Sequence, residues 1–99
     1  MNITLQYLRK LCRSSNAASN EIILTAWHYA KRHSMSPEEL IYQLPKEIST
    51  VIQRASRELF SAMLSGSTGM LIGAGIRDDL ESSPNFVPAD FILRLKNIL

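Results

Sequence analysis

The sequence predicts an all-α fold, a small orthogonal or irregular bundle of four to five helices in a single domain spanning residues 1–99. Three observations support this prediction. A helix-start signal lies at Ser36, a long amphipathic pattern runs from Pro45 to Ser65, and a glycine-rich connection beginning at Gly66 precedes a C-terminal helical pattern.

The first helix of the central region is predicted to begin at Ser36-Pro37-Glu38-Glu39. Ser36 suits the N-cap, Pro37 suits the first helical position, and Glu39 can complete a capping box. Pro45 ends this helix because it lacks an N–H and disfavours helical geometry in the residue before it. The same proline is expected to open the next helix at its first position.

The segment from Pro45 to Ser65 contains no helix-breaking residue after its first position. At about 100° per residue, seven apolar side chains of this segment fall within roughly 120° of arc, which predicts one half-buried helix about 31 Å long. Gly66 suits the position just after its end. The apolar stripe consists of Ile48, Val51, Ile52, Ala55, Leu59, Ala62 and Met63.

Three further helices flank this central region. The patterns predict one from about Ile3 to Arg13, a second from Ala17 or Asn20 to the Lys31-Arg32-His33 run, and a last one from Pro88 to Leu99. Three more glycines weaken helix formation between residues 67 and 76, so we expect an irregular or short extended segment there. A polar loop over residues 77–85 follows.

Composition indicates a globular, intracellular protein. The net charge of +2 is too small to imply nucleic-acid binding, and no apolar run is long enough to span a bilayer. The N-terminus lacks the residue order of a signal peptide. With Cys12 as the single cysteine no intrachain disulfide can form, which favours a reducing, cytoplasmic location.

Charge is unevenly distributed along the chain. Residues 1–33 carry five basic side chains and one acidic, a net +4, whereas residues 34–99 carry six basic and eight acidic, a net −2. This asymmetry permits an acidic partner for the N-terminal part. Arg9, Lys10 and Arg13 would also lower the pKa of Cys12 if its thiol were exposed, although a small buried residue is the favoured interpretation.

No catalytic or metal site can be assembled from the sequence. His28 and His33 are five residues apart, so on one helix they point about 140° away from each other and cannot form the zinc-binding face of an i,i+4 pair. The glycines from Gly66 to Gly75 do not match a phosphate-binding loop. We therefore predict a protein that is not an enzyme and has no cofactor.

The predicted function is protein binding, as an adaptor or regulator whose partner is another protein or a second copy of the chain in a homodimer. Phe60 and Leu64 lie beside the apolar stripe, so either a returning C-terminal segment covers them, which we favour, or they form a partner interface. Trp27 and Tyr29 are further candidates because aromatic residues dominate interface energetics, although core packing is the favoured role for Trp27.

The segment from Met35 to Arg54 resembles the helix-turn-helix of bacterial repressors. Ser36-Pro37-Glu38-Glu39-Leu40 is similar to the opening of the first helix, and Ser49-Thr50-Val51 to the start of a recognition helix. Ile41 and Pro45 depart from the pattern, which has a small residue and a glycine there. The resemblance implies a DNA-binding transcriptional regulator as the alternative function, with Lys46, Arg54 and Arg57 as the nucleic-acid-binding residues.

Overall fold

A computed structural model describes residues 4–65, 71–73 and 86–98. These residues form five helices and two three-residue strands, and the all-α class is confirmed. In chain order the elements are α1 (Leu5–Arg13), α2 (Ser19–Arg32), α3 (Pro37–Gln43), α4 (Lys46–Ser65), β1 (Leu71–Gly73), β2 (Phe86–Pro88) and α5 (Ala89–Asn97).

The predicted capping box at the start of α3 is confirmed. Ser36 Oγ accepts a hydrogen bond of 3.2 Å from the Glu39 N–H, and the Ser36 N–H donates one of 3.2 Å to Glu39 Oε1. The helix ends where Leu44 turns to extended geometry ahead of Pro45. The seven-residue helix is therefore bounded by local chemistry at both ends.

The long helix α4 is unbroken, as predicted, but its first residue is Lys46. Pro45 is the N-cap, because its carbonyl accepts hydrogen bonds from the N–H groups of Ile48 and Ser49. Pro88 likewise caps α5, with an extended ψ of 137°. The prediction that both prolines occupy the first helical position was wrong by one residue; proline tolerates either position because its missing N–H has no helical partner in both cases.

Helix α4 organises the core, since α1, α2, α3 and α5 all contact it. Its buried face also includes Ser49 and Ser56, which the apolar stripe did not predict. Their hydroxyls donate to the carbonyls of Lys46 and Gln53, so neither is buried without a partner. The buried apolar residues of the core are Leu8, Ile22, Ile23, Ala26, Tyr29, Ala30, Leu40, Ile41, Leu44, Ile48, Ile52, Ala55, Leu59, Val87, Phe91, Ile92 and Leu95.

The glycine-rich connection is described only at β1, which is extended as the sequence suggested. It pairs in parallel with β2, with Ile72 opposite Val87 and Gly73 opposite Pro88. Val87 is fully buried and β2 leads directly into α5, so the strand pair fixes the start of that helix. The predictions for Gly66, for the Met63 side chain, for the loop over residues 77–85 and for Leu99 lie outside the described residues.

Helix α2 ends in a left-handed residue that is not glycine. Ser34 has φ of 52°, and the Met35 N–H donates to the Ala30 carbonyl at 2.8 Å, which completes a Schellman motif. A side chain carries a steric cost in this conformation. We expect Ser34→Gly to raise the free energy of unfolding by about 0.5–1 kcal/mol, measured by urea denaturation. An unchanged or lower value would contradict the assigned backbone conformation.

An ion pair joins α3 to α5. Arg94 donates from Nε to Glu38 Oε2 at 3.1 Å and from Nη2 to Oε1, and it also lies 3.5 Å from Asp90. The hydrogen bonds from Arg94 hold the pKa of Glu38 below its usual value. Because the folded pKa is the lower one, the stabilisation is complete above the ordinary glutamate pKa and is lost as pH falls through the depressed value.

We therefore expect an NMR carboxyl titration to give Glu38 a lower pKa in the wild type than in Arg94→Gln. In the variant the pKa of Glu38 should return toward the usual glutamate range, because its two guanidinium donors are gone. Equal Glu38 values in the two proteins would show that the α3–α5 ion pair does not form in solution.

Candidate binding surface

The outer face of α1 carries a shallow groove of about 430 Å³, lined by Gln6, Arg9, Lys10, Arg13 and Ser14. We call it the α1 groove. Its first four residues fall within about 100° of arc on the helix, so their side chains project from one face. Three of the five are basic, and together they form a positively charged strip along α1.

Helix α1 presents this face because its opposite face is committed to the core. Leu8 is fully buried, and Leu5, Leu11 and Cys12 pack partly buried around it. The N-terminus is fixed by Thr4, whose hydroxyl accepts a hydrogen bond of 3.1 Å from the Tyr7 N–H. With the apolar side held against α2 and α4, the basic side remains exposed to solvent.

One carboxylate from another element pairs with two residues of the α1 groove. Glu47, in the first turn of α4, accepts a hydrogen bond of 3.0 Å at Oε1 from Arg13 Nη2, and the same oxygen lies 3.8 Å from Arg9 Nε. The three side chains are between 39% and 63% exposed. Ion pairs at this exposure contribute about 0–1 kcal/mol, so Glu47 neutralises the groove in part without closing it.

Arg9 has an unused hydrogen-bond donor. Among the described residues, its Nε is the buried side-chain nitrogen that has no hydrogen-bond partner, because 3.8 Å to Glu47 is too long for a hydrogen bond. A buried polar atom without a partner raises the free energy of the folded state. Because this atom is buried, an incoming acceptor satisfies it only when the Arg9 side chain, which is 39% exposed, turns outward.

A second, polar cavity of about 300 Å³ lies between α1, the start of α2 and α4. Cys12, Arg54 and Glu58 line it, and Ser19 donates a hydrogen bond from Oγ to Glu58. Burial raises the pKa of the Cys12 thiol to about 11. The basic neighbours therefore do not activate the thiol, and the favoured interpretation of Cys12 as a packing residue agrees with its half-buried position.

The raised pKa predicts an unreactive thiol. At pH 8 only about one Cys12 in a thousand would be ionised, given a pKa of about 11. We expect Ellman's reagent to modify the native protein about a hundredfold more slowly than the protein unfolded in guanidinium chloride, which is the matched control. Equal rates in the two states would contradict this placement of Cys12.

Trp27 and Tyr29, the aromatic candidates for partner binding on α2, differ in their burial. Trp27 is half-buried and packs edge-on against Phe91 of α5, with ring centroids 4.9 Å apart, while Lys31 Nζ lies 5.3 Å from its ring centroid. Tyr29 is buried in the core, and its ring lies 4.4 Å from that of His33. The core-packing role favoured for Trp27 agrees with these contacts.

Helix α5 lies beside the residues that flank the apolar stripe of α4. Phe60 is half-buried against the core, with Lys96 Nζ 4.9 Å from its ring centroid, and Gln53 Nε2 donates to the carbonyls of Leu95 and Ile98 at 3.3 and 2.7 Å. This agrees with the expectation that a returning C-terminal segment covers Phe60. The side chain of Leu64 lies outside the described residues.

The basic residues assigned to the alternative function are all exposed. Lys46, Arg54 and Arg57 project from the outer face of α4, with Arg54 at the rim of the polar cavity. The acidic side chains Glu47 and Glu58 are exposed on the same helix, so three positive charges are accompanied by two negative ones. The α1 groove has three basic residues paired with one carboxylate, that of Glu47, so it is the more strongly positive of the two surfaces.

The described residues contain no group of three or more histidine, cysteine, aspartate or glutamate side chains able to hold a metal ion. In the same part of the chain, no helix combines the length and apolar character needed to cross a bilayer. No family model, curated protein or solved structure matches the sequence. Function must therefore be inferred from the surfaces described above.

Proposed function

We propose that this is a small, non-catalytic protein of the cytoplasm that works as an adaptor or regulator by binding another protein. The observation that carries the proposal is the α1 groove, where three basic side chains lie side by side. Lys10 and Arg13 are exposed, and Arg9 is half-buried with no hydrogen-bond partner at Nε. Charged grooves of this kind steer association and set specificity.

The side chains that line the two described cavities support a non-catalytic role. Neither the α1 groove nor the polar cavity is lined by a histidine, and the one thiol at the cavity has a raised pKa of about 11. General acid–base and nucleophilic chemistry both need a group poised near neutral pH. Binding is the function that requires nothing beyond the side chains these two cavities offer.

Site-specific photo-crosslinking in the source cells tests this proposal. A photoreactive amino acid in place of Gln6, within the α1 groove, is expected to form a covalent adduct with a second protein. The same residue in place of Thr50, which is exposed on the outer face of α4, serves as the matched control. Adducts at position 50 only, or at neither position, would contradict protein binding through α1.

A second copy of the chain is one form of the proposed partner. A homodimer formed through the α1 groove would give a crosslinked adduct of twice the chain mass and a dimer in sedimentation equilibrium. A strict monomer combined with a heavier or lighter adduct would instead identify another protein. Both results are consistent with protein binding, and they decide between an adaptor and a self-associating regulator.

The alternative is a helix-turn-helix regulator, favoured by the short α3–α4 connection and by the exposure of Lys46, Arg54 and Arg57 on α4. Binding to duplex DNA that weakens steeply with salt would support it. Reversing the charge of Arg54 and Arg57 should then abolish binding, whereas reversing Lys10 and Arg13 should not. Salt-insensitive or undetectable DNA binding would reject this alternative.

A further inference from the structure

The chemistry of the α1 groove identifies the kind of partner it fits. Resting on the proposed function, we infer that the α1 groove binds an acidic peptide segment of the partner, and that a carboxylate of that segment replaces Glu47 against Arg13 and Arg9. The chain thus carries its own exchangeable counter-ion, which the partner displaces on binding.

Glu47 shows that Arg13, one of the groove residues, pairs with a carboxylate. Its Oε1 atom already receives the Arg13 Nη2 hydrogen bond at 3.0 Å and lies 3.8 Å from Arg9 Nε, yet it satisfies only the first of these donors. A carboxylate arriving from outside is not tethered to α4, so it can approach both guanidinium groups at hydrogen-bonding distance. The planar guanidinium group favours such two-point contacts with carboxylates.

The exposure of Arg13 and Glu47 allows a carboxylate of the partner to replace Glu47. The side chains of Arg13 and Glu47 are 63% and 54% exposed, so their ion pair is already solvated and little is lost when it opens. Lys10 is exposed in the same groove and no carboxylate contacts it among the described residues, which leaves it available for a second acidic side chain. Binding therefore gains contacts at Arg9 and Lys10 while substituting one contact at Arg13.

The dimensions of the groove match a short peptide. Nine helical residues extend about 13 Å, which is the length of roughly four residues of extended chain. Three basic side chains within that length fit a segment carrying two or three carboxylates. Duplex DNA is disfavoured because its affinity depends on many phosphate contacts, and three basic residues offer few.

A membrane surface is disfavoured for a different reason. A helix that lies on a bilayer must bury its apolar face among the lipids. In α1 that face is already used, since Leu8 is fully buried and Leu5, Leu11 and Cys12 pack against the core. Tyr7 is the one large apolar side chain of α1 left exposed, at 44%. The groove therefore offers charge without the apolar surface that lipid binding needs.

Fluorescence anisotropy with a labelled hexaglutamate peptide tests the inference, using hexaglutamine, duplex DNA and phosphatidylserine vesicles as parallel probes. We expect salt-dependent binding of hexaglutamate and no binding of hexaglutamine. Lys10→Glu and Arg13→Glu should each weaken hexaglutamate binding by about tenfold, and Glu47→Gln should strengthen it by about threefold because the internal competitor is neutralised.

Arg57→Glu is the matched control, because it makes the same charge change at an exposed position on α4. It should alter hexaglutamate binding by less than about twofold. If Glu47→Gln leaves the affinity for hexaglutamate unchanged or lowers it, the proposed displacement of Glu47 by a partner carboxylate is wrong. Preferential binding of DNA or vesicles over hexaglutamate would also overturn the inference.

The two failures can be told apart. If hexaglutamate does not bind but the crosslinked partner at position 6 is still lost on reversing Lys10 and Arg13, protein binding through α1 stands and the acidic-peptide inference is overturned. If position 6 gives no protein adduct, the proposed function itself fails. Circular dichroism of each variant confirms that the fold is retained, as expected for substitutions at exposed positions.

Discussion

Ile52→Ala is expected to lower the free energy of unfolding by about 3 kcal/mol. Ile52 is fully buried in the N-terminal half of α4, the helix against which α1, α2, α3 and α5 pack. Removing three carbons there loses burial and leaves a cavity that the surrounding helices can fill only in part. Urea denaturation followed by circular dichroism at the helix band measures the change.

Thr50→Ala is the matched control for this prediction. Thr50 is exposed on the same helix, two residues before Ile52, so its truncation should change stability by no more than about 0.5 kcal/mol. Similar effects for the two substitutions would show that the assigned faces of α4 are wrong. A cost below about 1 kcal/mol for Ile52→Ala would lead to the same conclusion.

Phe91→Ala is expected to cost about 3–4 kcal/mol. Phe91 is 3% exposed and packs edge-on against Trp27, so it joins α5 to α2 across the core. Trp27 is the single tryptophan of the chain, so its fluorescence reports this contact directly. We expect the emission of the folded variant to shift to longer wavelength as solvent reaches the indole ring.

Leu93→Ala provides the comparison on α5. Leu93 is 41% exposed and lies two residues from Phe91. Leu93→Ala should therefore lower the free energy of unfolding by less than about 1 kcal/mol and leave the tryptophan emission unchanged. Phe91→Leu should fall between the two alanine variants because it retains most of the buried volume. A Phe91→Ala variant with wild-type emission would show that Trp27 and Phe91 are not in contact.

The sequence predicts the helices well because their signals are local. The capping box at Ser36 and Glu39 depends on residues three apart, and the unbroken stripe of α4 follows from the absence of glycine and proline. The start of α4 and α5 was placed one residue early, because proline suits both the N-cap and the next position. Sequence alone does not decide between them.

The hydrophobic pattern of α4 does not predict that two of its serines, Ser49 and Ser56, are buried. A polar residue type predicts exposure, yet Ser56 is fully buried because its hydroxyl donates to the Gln53 carbonyl one turn earlier. The position of α5 beside Gln53 and Phe60 depends on tertiary packing, so the sequence offered it only as one of two interpretations. Neither the burial of Ser56 nor the position of α5 has a reliable signal in a single sequence.

The α1 groove was not predicted as a site, although part of its signal is present in the sequence. Arg9 and Arg13 are four residues apart on a helix and therefore share a face with Lys10. These residues were interpreted through their effect on Cys12 and through the positive charge of residues 1–33, which permits an acidic partner, but not as a groove on one helix face. The decisive contact comes from Glu47, 34 residues after Arg13, and no local pattern links the two.

Backbone NMR of the isotope-labelled protein titrated with hexaglutamate tests binding at α1 most directly. We expect the shift changes to cluster at Gln6, Arg9, Lys10 and Arg13 on α1 and at Glu47 on α4, and to disappear in Lys10→Glu/Arg13→Glu. Shift changes confined to the outer face of α4, or to the region around Phe60 and Trp27, would contradict binding at α1.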